Sequence, residues 1–125
     1  MTAIILALML TASTIYASGA ATTTADSRWQ SSRQVRLRLK TQMPLRQWRC
    51  LYRLWANESG WRVHAGSIHK AYGIPQAYPG YRMRSAGKDW RTNAATQVRW
   101  GRSYIRHRYG SSCAALRFQD RHGWY

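Results

Sequence analysis

The longest unbroken apolar run in the chain is Ala3 to Leu10, too short to cross a bilayer. Ser18-Gly19-Ala20 follows with the small residues a signal peptidase cuts between, so residues 1–20 read as an export signal cleaved after Ala20. The segment before the apolar run has no Lys or Arg, which keeps an uncleaved anchor or a buried helix as alternatives. From Ala21 to about Ser32 no apolar period appears, and the stretch reads as a linker. Arg33-Gln34-Val35-Arg36-Leu37-Arg38-Leu39-Lys40 alternates strictly, which suits a strand, or a basic arm that orders only against a partner. Residues 21–43 are therefore expected to precede a compact domain at 44–125.

Within that domain the period changes. Leu45, Trp48, Leu51, Tyr52 and Trp55 recur at helical spacing while Arg46, Arg49 and Arg53 fall elsewhere, predicting an amphipathic helix from Pro44 to about Asn57. A polar, glycine-containing stretch follows to Lys70. The run Ala71 to Gly80 then carries two prolines that forbid a regular helix, so it reads as a structured loop with at most a short strand. A second helix is expected from the Thr92-Asn93 cap to Gly110, and a third from Ser111-Ser112 to Gly123. No internal repeat occurs. The pattern predicts a single small domain, mainly α and α+β at most.

Composition adds partners and compartment. Lys and Arg number 20 against 4 Asp and Glu, a formal net charge of +16. Such a surface calls for a polyanion, which nucleic acid, an anionic membrane and a wall bearing teichoic acids would all satisfy. The seven Trp and eight Tyr against one Phe supply rings that fill cores and also line sugar clefts. Cys50 and Cys113 suit an oxidising destination as a single bridge, or stand as two buried thiols.

The chemistry has few candidates. His64, His69, His107 and His122 are scattered without ligand spacing, so no metal site is expected. No nucleophile-elbow pattern occurs. Asp26 lies in the linker, which leaves Glu58, the only glutamate, with Asp89 and Asp120. Glu58 falls where the first helix ends, and the negative end of the helix dipole disfavours its charged form. Burial against Trp55 or Trp61 would push its pKa the same way, whereas an arginine partner would push it down. Read from the residues alone, Glu58 is either a general acid or half of a salt bridge.

Beyond these patterns, Glu58-Ser59-Gly60-Trp61, Ser67, the run Ala71-Tyr72-Gly73-Ile74-Pro75-Gln76-Ala77, Thr96 to Gly101 and Tyr104 to Gly110 occur in an order and spacing that resemble the small secreted lytic transglycosylases of actinobacteria. The resemblance runs from about Cys50 to Tyr125. It implies a lysozyme-like transglycosylase catalytic domain in which Glu58 protonates the bond between N-acetylmuramic acid and N-acetylglucosamine. The same carboxylate then deprotonates the muramyl 6-hydroxyl, leaving a 1,6-anhydro end. It also implies substrate contacts from Gln76, Ser59, Ser67 and Tyr104, and Cys50 and Cys113 fall where the group carries a cysteine pair. Trp61, Trp90 and Trp100 are further candidates for stacking on sugars. His69-Lys70 and Tyr78 depart from the group's usual Ser-Gly and Leu.

The expectation is thus a secreted or wall-associated monomer acting on peptidoglycan glycan strands, drawn to anionic wall polymers, with no specific nucleic acid, no metal and no cofactor. A hydrolytic lysozyme of the same fold is one alternative, which would need Asp89 or Asp120 opposite Glu58. A non-enzymatic cationic module binding wall, membrane or nucleic acid is the other.

Overall fold

The computed structural model describes residues 31–125. The expected export signal, its cleavage site, Asp26 and most of the linker lie outside the described residues. Four α-helices and a short 3-10 helix account for most of what is described, so the chain is mainly helical.

Helix α1, Ser32–Gln42, replaces the expected strand or arm. The alternation was misleading because Val35 and Leu39 are also four residues apart, one helical turn, and both are buried in the core. Leu37, the middle apolar residue of the alternation, is 59% exposed. Ser31 caps the helix by accepting a hydrogen bond from the Gln34 amide. The folded unit therefore begins before Pro44.

Helix α2, Leu45–Ser59, buries Trp48, Leu51, Leu54 and Trp55 on one face and leaves Arg46, Arg49 and Arg53 exposed. It stops at Gly60, whose left-handed backbone (φ +61°) lets the Gly60 N–H reach Ala56 O and the Trp61 N–H reach Trp55 O. A loop from Gly60 to Pro79 follows, folded on itself by isolated bridges between Gly66 and Tyr72 and between Tyr72 and Ala77. A 3-10 helix, Gly80–Ala86, leads on to α3, Ala94–Tyr109, capped by Asn93. Helix α4, Ser112–His122, is capped by Ser111 and stopped by Gly123.

The most extensive helix interface is that of α2 with α4. The two run side by side in the same direction. At one end Cys50 and Cys113 form a disulfide, with Gln47 Oε1 accepting from the Cys113 amide at 3.2 Å. At the other, Asn57 and Glu58 meet Gln119. The main core joins Leu51, Leu54 and Trp55 of α2 to Val98 and Ile105 of α3, Ala115 and Leu116 of α4, and Ile74 of the loop. A smaller cluster of Tyr72, Ala77, Met83 and Trp90 sits beneath the 3-10 helix. Among the described residues no helix is long and apolar enough to cross a membrane.

Candidate active site

Three elements converge on the last turn of α2. The first is the loop at Gly73 to Gln76. Gln97, fully buried on α3, accepts from the Ile74 amide at 2.8 Å and donates to Val63 O and Trp90 O, both at 2.9 Å. Its side chain fills the space that a Gly73 Cβ would take, 2.6 Å from Gln97 Oε1, and Gly73 also holds φ +74°. Glycine there serves the backbone. From the helix side, Ser59 Oγ donates to Ile74 O at 2.7 Å.

The second element is Tyr125, whose hydroxyl accepts from Trp55 Nε1 at 2.7 Å and donates to Pro75 O at 2.9 Å. Burial pushes this phenol well above its usual range against the effect of the Trp55 bond, and the negative charge of Glu58 pushes it further up. Helix α3 comes close enough to complete the arrangement because residue 101 is glycine. A Cβ there would stand 2.6 Å from Trp55 Cζ2 and 2.9 Å from Pro75 Cβ.

The third element is Gln119 of α4, which bonds directly to Glu58. Asn57 Nδ2 donates to Gln119 Oε1 at 2.9 Å, and this fixes the amide so that Gln119 Nε2 must face and donate to Glu58 Oε1. Glu58 itself is half-buried in the penultimate position of α2. Burial raises its carboxyl pKa above the ordinary 4.5, and the Gln119 bond partly offsets this by favouring the charged form. Among the described residues no arginine, lysine or histidine pairs with it. The salt-bridge reading left open by the sequence therefore does not describe Glu58. Such a carboxyl can hold its proton nearer to neutral pH than a surface glutamate, donate it, and take one back.

The other expected site residues divide. Tyr104 is half-buried and stacks on half-buried Trp100, with centroids 5.3 Å apart and planes 9° apart. It also meets Tyr125 edge-on at 5.9 Å, so it belongs to the aromatic group beside Glu58. Gln76 stands on the loop that Ser59 and Tyr125 tie down, but its Nε2 is committed to Gly73 O at 3.0 Å and Ala65 O at 3.2 Å. Its backbone is also left-handed, at φ +52°. Its visible work is to hold the loop.

Ser59 departs from the expected contact with substrate. It is 4% exposed and its only hydroxyl proton is used within the chain, so it positions the loop against the helix end. Ser67 is exposed, with its backbone carbonyl accepting from Lys70 N. Trp61 and Trp90, each 3% exposed, are core residues and offer no face to a sugar.

Asp89 is engaged elsewhere. Its Oδ1 accepts from Thr96 and its Oδ2 from Asn93, both at 2.7 Å, at the start of α3. The Thr96 bond foremost, with the Asn93 bond, holds this carboxyl below its ordinary range despite partial burial. Asp120 is exposed on α4. The site thus gathers one carboxyl group of raised pKa.

Sequence reasoning did not find Gln119 or Tyr125. For Gln119 a signal existed: Ser112, Ala115, Leu116 and Gln119 follow the buried stripe of α4, and an amide in a core stripe needs a partner. Tyr125 carries no comparable local signal.

No protein-family model, curated protein or solved structure matches the chain.

Proposed function

We propose that the chain is a peptidoglycan lytic transglycosylase with a lysozyme-like catalytic domain. The observation that carries this reading is the Glu58 carboxyl: half-buried, raised in pKa by burial, held by an amide and, among the described residues, unpaired by any cation. In the reaction Glu58 begins protonated and gives its proton to the glycosidic oxygen between N-acetylmuramic acid and N-acetylglucosamine as that bond breaks. The carboxylate so formed takes the proton of the muramyl 6-hydroxyl as its oxygen bonds to the anomeric carbon. The anhydro ring closes, no water is consumed, and Glu58 ends protonated as it began. Burial keeps Glu58 protonated before the first step and makes its carboxylate the stronger base in the second, while the Gln119 N–H eases proton release by stabilising the ionised form that stands between them.

The engagement of Asp89 with Thr96 and Asn93 favours this over a two-carboxylate hydrolase, which needs a second acid free to face the scissile bond. The Cys50–Cys113 bridge supports action outside a reducing cytoplasm. The test is digestion of purified cell walls by the parent chain and by Glu58→Gln, with mass spectrometry of the released fragments. Anhydro-muropeptides from the parent and none from Glu58→Gln are expected. Equal lysis by both would overturn the assignment, and reducing muramyl ends would move it to the hydrolytic lysozyme.

A further inference from the structure

A groove of about 800 Å³ among the described residues does not touch Glu58. It lies between α1, α3 and the start of α4, with buried Val35, Leu39 and Ile105 along its floor. Its α3 rim carries Arg99, Arg102 and Arg106, all exposed. At 100° per residue these three share one face of the helix, and Trp100, Gly101 and Tyr104 occupy the opposite one. One helix therefore presents its back to the groove and its front to Trp55, Pro75 and Tyr125.

Among the described residues that line the groove there is no carboxylate. Arg99 is anchored through Nη2 to Ala86 O at 2.6 Å, while Arg102 and Arg106 line the groove as exposed cations one turn apart. Like charges at that spacing destabilise a helix. Arg106 gains something from the helix C-terminus, but Arg102 lies outside the last turn and does not. The rim spans about 10 Å along α3, room for successive charges on a flexible chain. The floor suits short carbon segments between them. Among the described residues that line it none is aromatic, so they offer no platform for stacking bases, the contact that single-stranded nucleic acid uses.

We propose that this groove binds a polyol-phosphate polymer, an anionic phosphodiester chain of the cell wall, and holds the enzyme on its substrate from the face opposite the catalytic one. The choice of polymer rests on the wall-cleaving function proposed above; the anion site rests on the groove itself.

The test is calorimetric titration of the purified chain with lipid-free poly(glycerol phosphate) at several salt concentrations. Saturable binding is expected, with a log–log salt slope of about −2 for three phosphate contacts. Arg102→Gln with Arg106→Gln should weaken binding about ten-fold or more and roughly halve that slope or better. Arg53→Gln with Arg117→Gln, which removes equal charge from exposed positions outside the groove, should change affinity less than about three-fold. Thermal unfolding checks that both variants fold. Equal losses in the two variants, or no saturable binding, would overturn the proposal by reducing it to net charge. Tighter binding of an oligo-thymidine chain through the same arginines would overturn the partner class. Cleavage of soluble glycan fragments should stay at the parent level in the groove variant. Failure of all glycan cleavage by the parent would instead sink the proposed function, and leave the titration to decide the groove.

Discussion

Replacing Gly101 by alanine sets two opposed effects against each other in one methyl group. An alanine inside a helix is worth about 1 kcal/mol more than glycine, so an open site would be stabilised. This site is closed. The new Cβ would stand 2.6 Å from Trp55 Cζ2 and 2.9 Å from Pro75 Cβ, where carbon contacts are comfortable at about 3.5–4.0 Å. Neither neighbour can yield cheaply. Trp55 is fully buried, is held by its Nε1 bond to Tyr125 and meets Trp61 edge-on at 5.1 Å. Pro75 is tied to the same Tyr125 hydroxyl. Overpacking of a tight core costs about 1–3 kcal/mol, and with neighbours this rigid the upper half of that range applies, so after the helix gain the net expectation is a loss of up to roughly 2 kcal/mol. Urea unfolding followed by tryptophan fluorescence reads this as a lower midpoint with an unchanged slope. Gly110→Ala is the control: nothing lies within 4 Å of its Cβ but its φ is +84°, so its cost comes from the backbone. A Gly101→Ala chain with a raised midpoint would refute the packing argument. If Glu58 acts as proposed, wall digestion should fall as well, because the shifted atoms are those that tie the loop at Pro75 to Trp55 and Tyr125 beside the end of α2.

The Glu58→Gln chain should also show a pH-dependent gain in stability. Because the folded pKa of Glu58 is raised above 4.5, the glutamate contributes stability below that pH and loses it as the pH rises through the folded value. The melting temperature of Glu58→Gln relative to the parent should therefore climb as the pH passes upward from about 4.5 and then level off; a difference that shrinks over that interval contradicts the assignment. For the cysteines, the 63-residue separation predicts that Cys50→Ala with Cys113→Ala costs about 4 kcal/mol, most of it through the unfolded chain. Denaturant titration of the parent with and without reductant should reproduce that loss, and agreement of the reduced parent with the double variant checks that the bridge is responsible.

Helices α2, α3 and α4 were legible because their signals agree at every level. Trp48, Leu51 and Trp55 set the period of α2, Asn93 and Ser111 cap the two later helices, and Gly60, Gly110 and Gly123 end all three. Helix α1 was not, because Val35, Leu37 and Leu39 satisfy a strand's alternation while two of them satisfy a helix's, and packing on the core chose between the two. The 3-10 helix has no period of its own to announce it. At the site, the residues alone left Glu58 as either an acid or half of a salt bridge, and it was the resemblance of its neighbouring motifs that singled it out. The partner that tunes its proton affinity was not legible, since Gln119 reaches it across 61 residues of sequence, and neither was Tyr125, which ties the Pro75 loop to Trp55. Ser59 was legible as important but not in its role, because adjacency in sequence cannot tell whether a hydroxyl faces a ligand or a carbonyl.

The disulfide and the Gln119 contact lie on the same pair of parallel helices, six residues apart on α4. Mechanically, α4 is a lever pivoted on Cys113, with an arm of about 9 Å to Gln119. A tilt of about 10° at the pivot would swing the amide by roughly 1.5 Å, enough to part a hydrogen bond. The covalent clamp therefore sets a tolerance on the Glu58 carboxyl at a distance: the steadiness of its hydrogen bond is limited by how rigidly a sulfur bridge two turns away holds one helix against another.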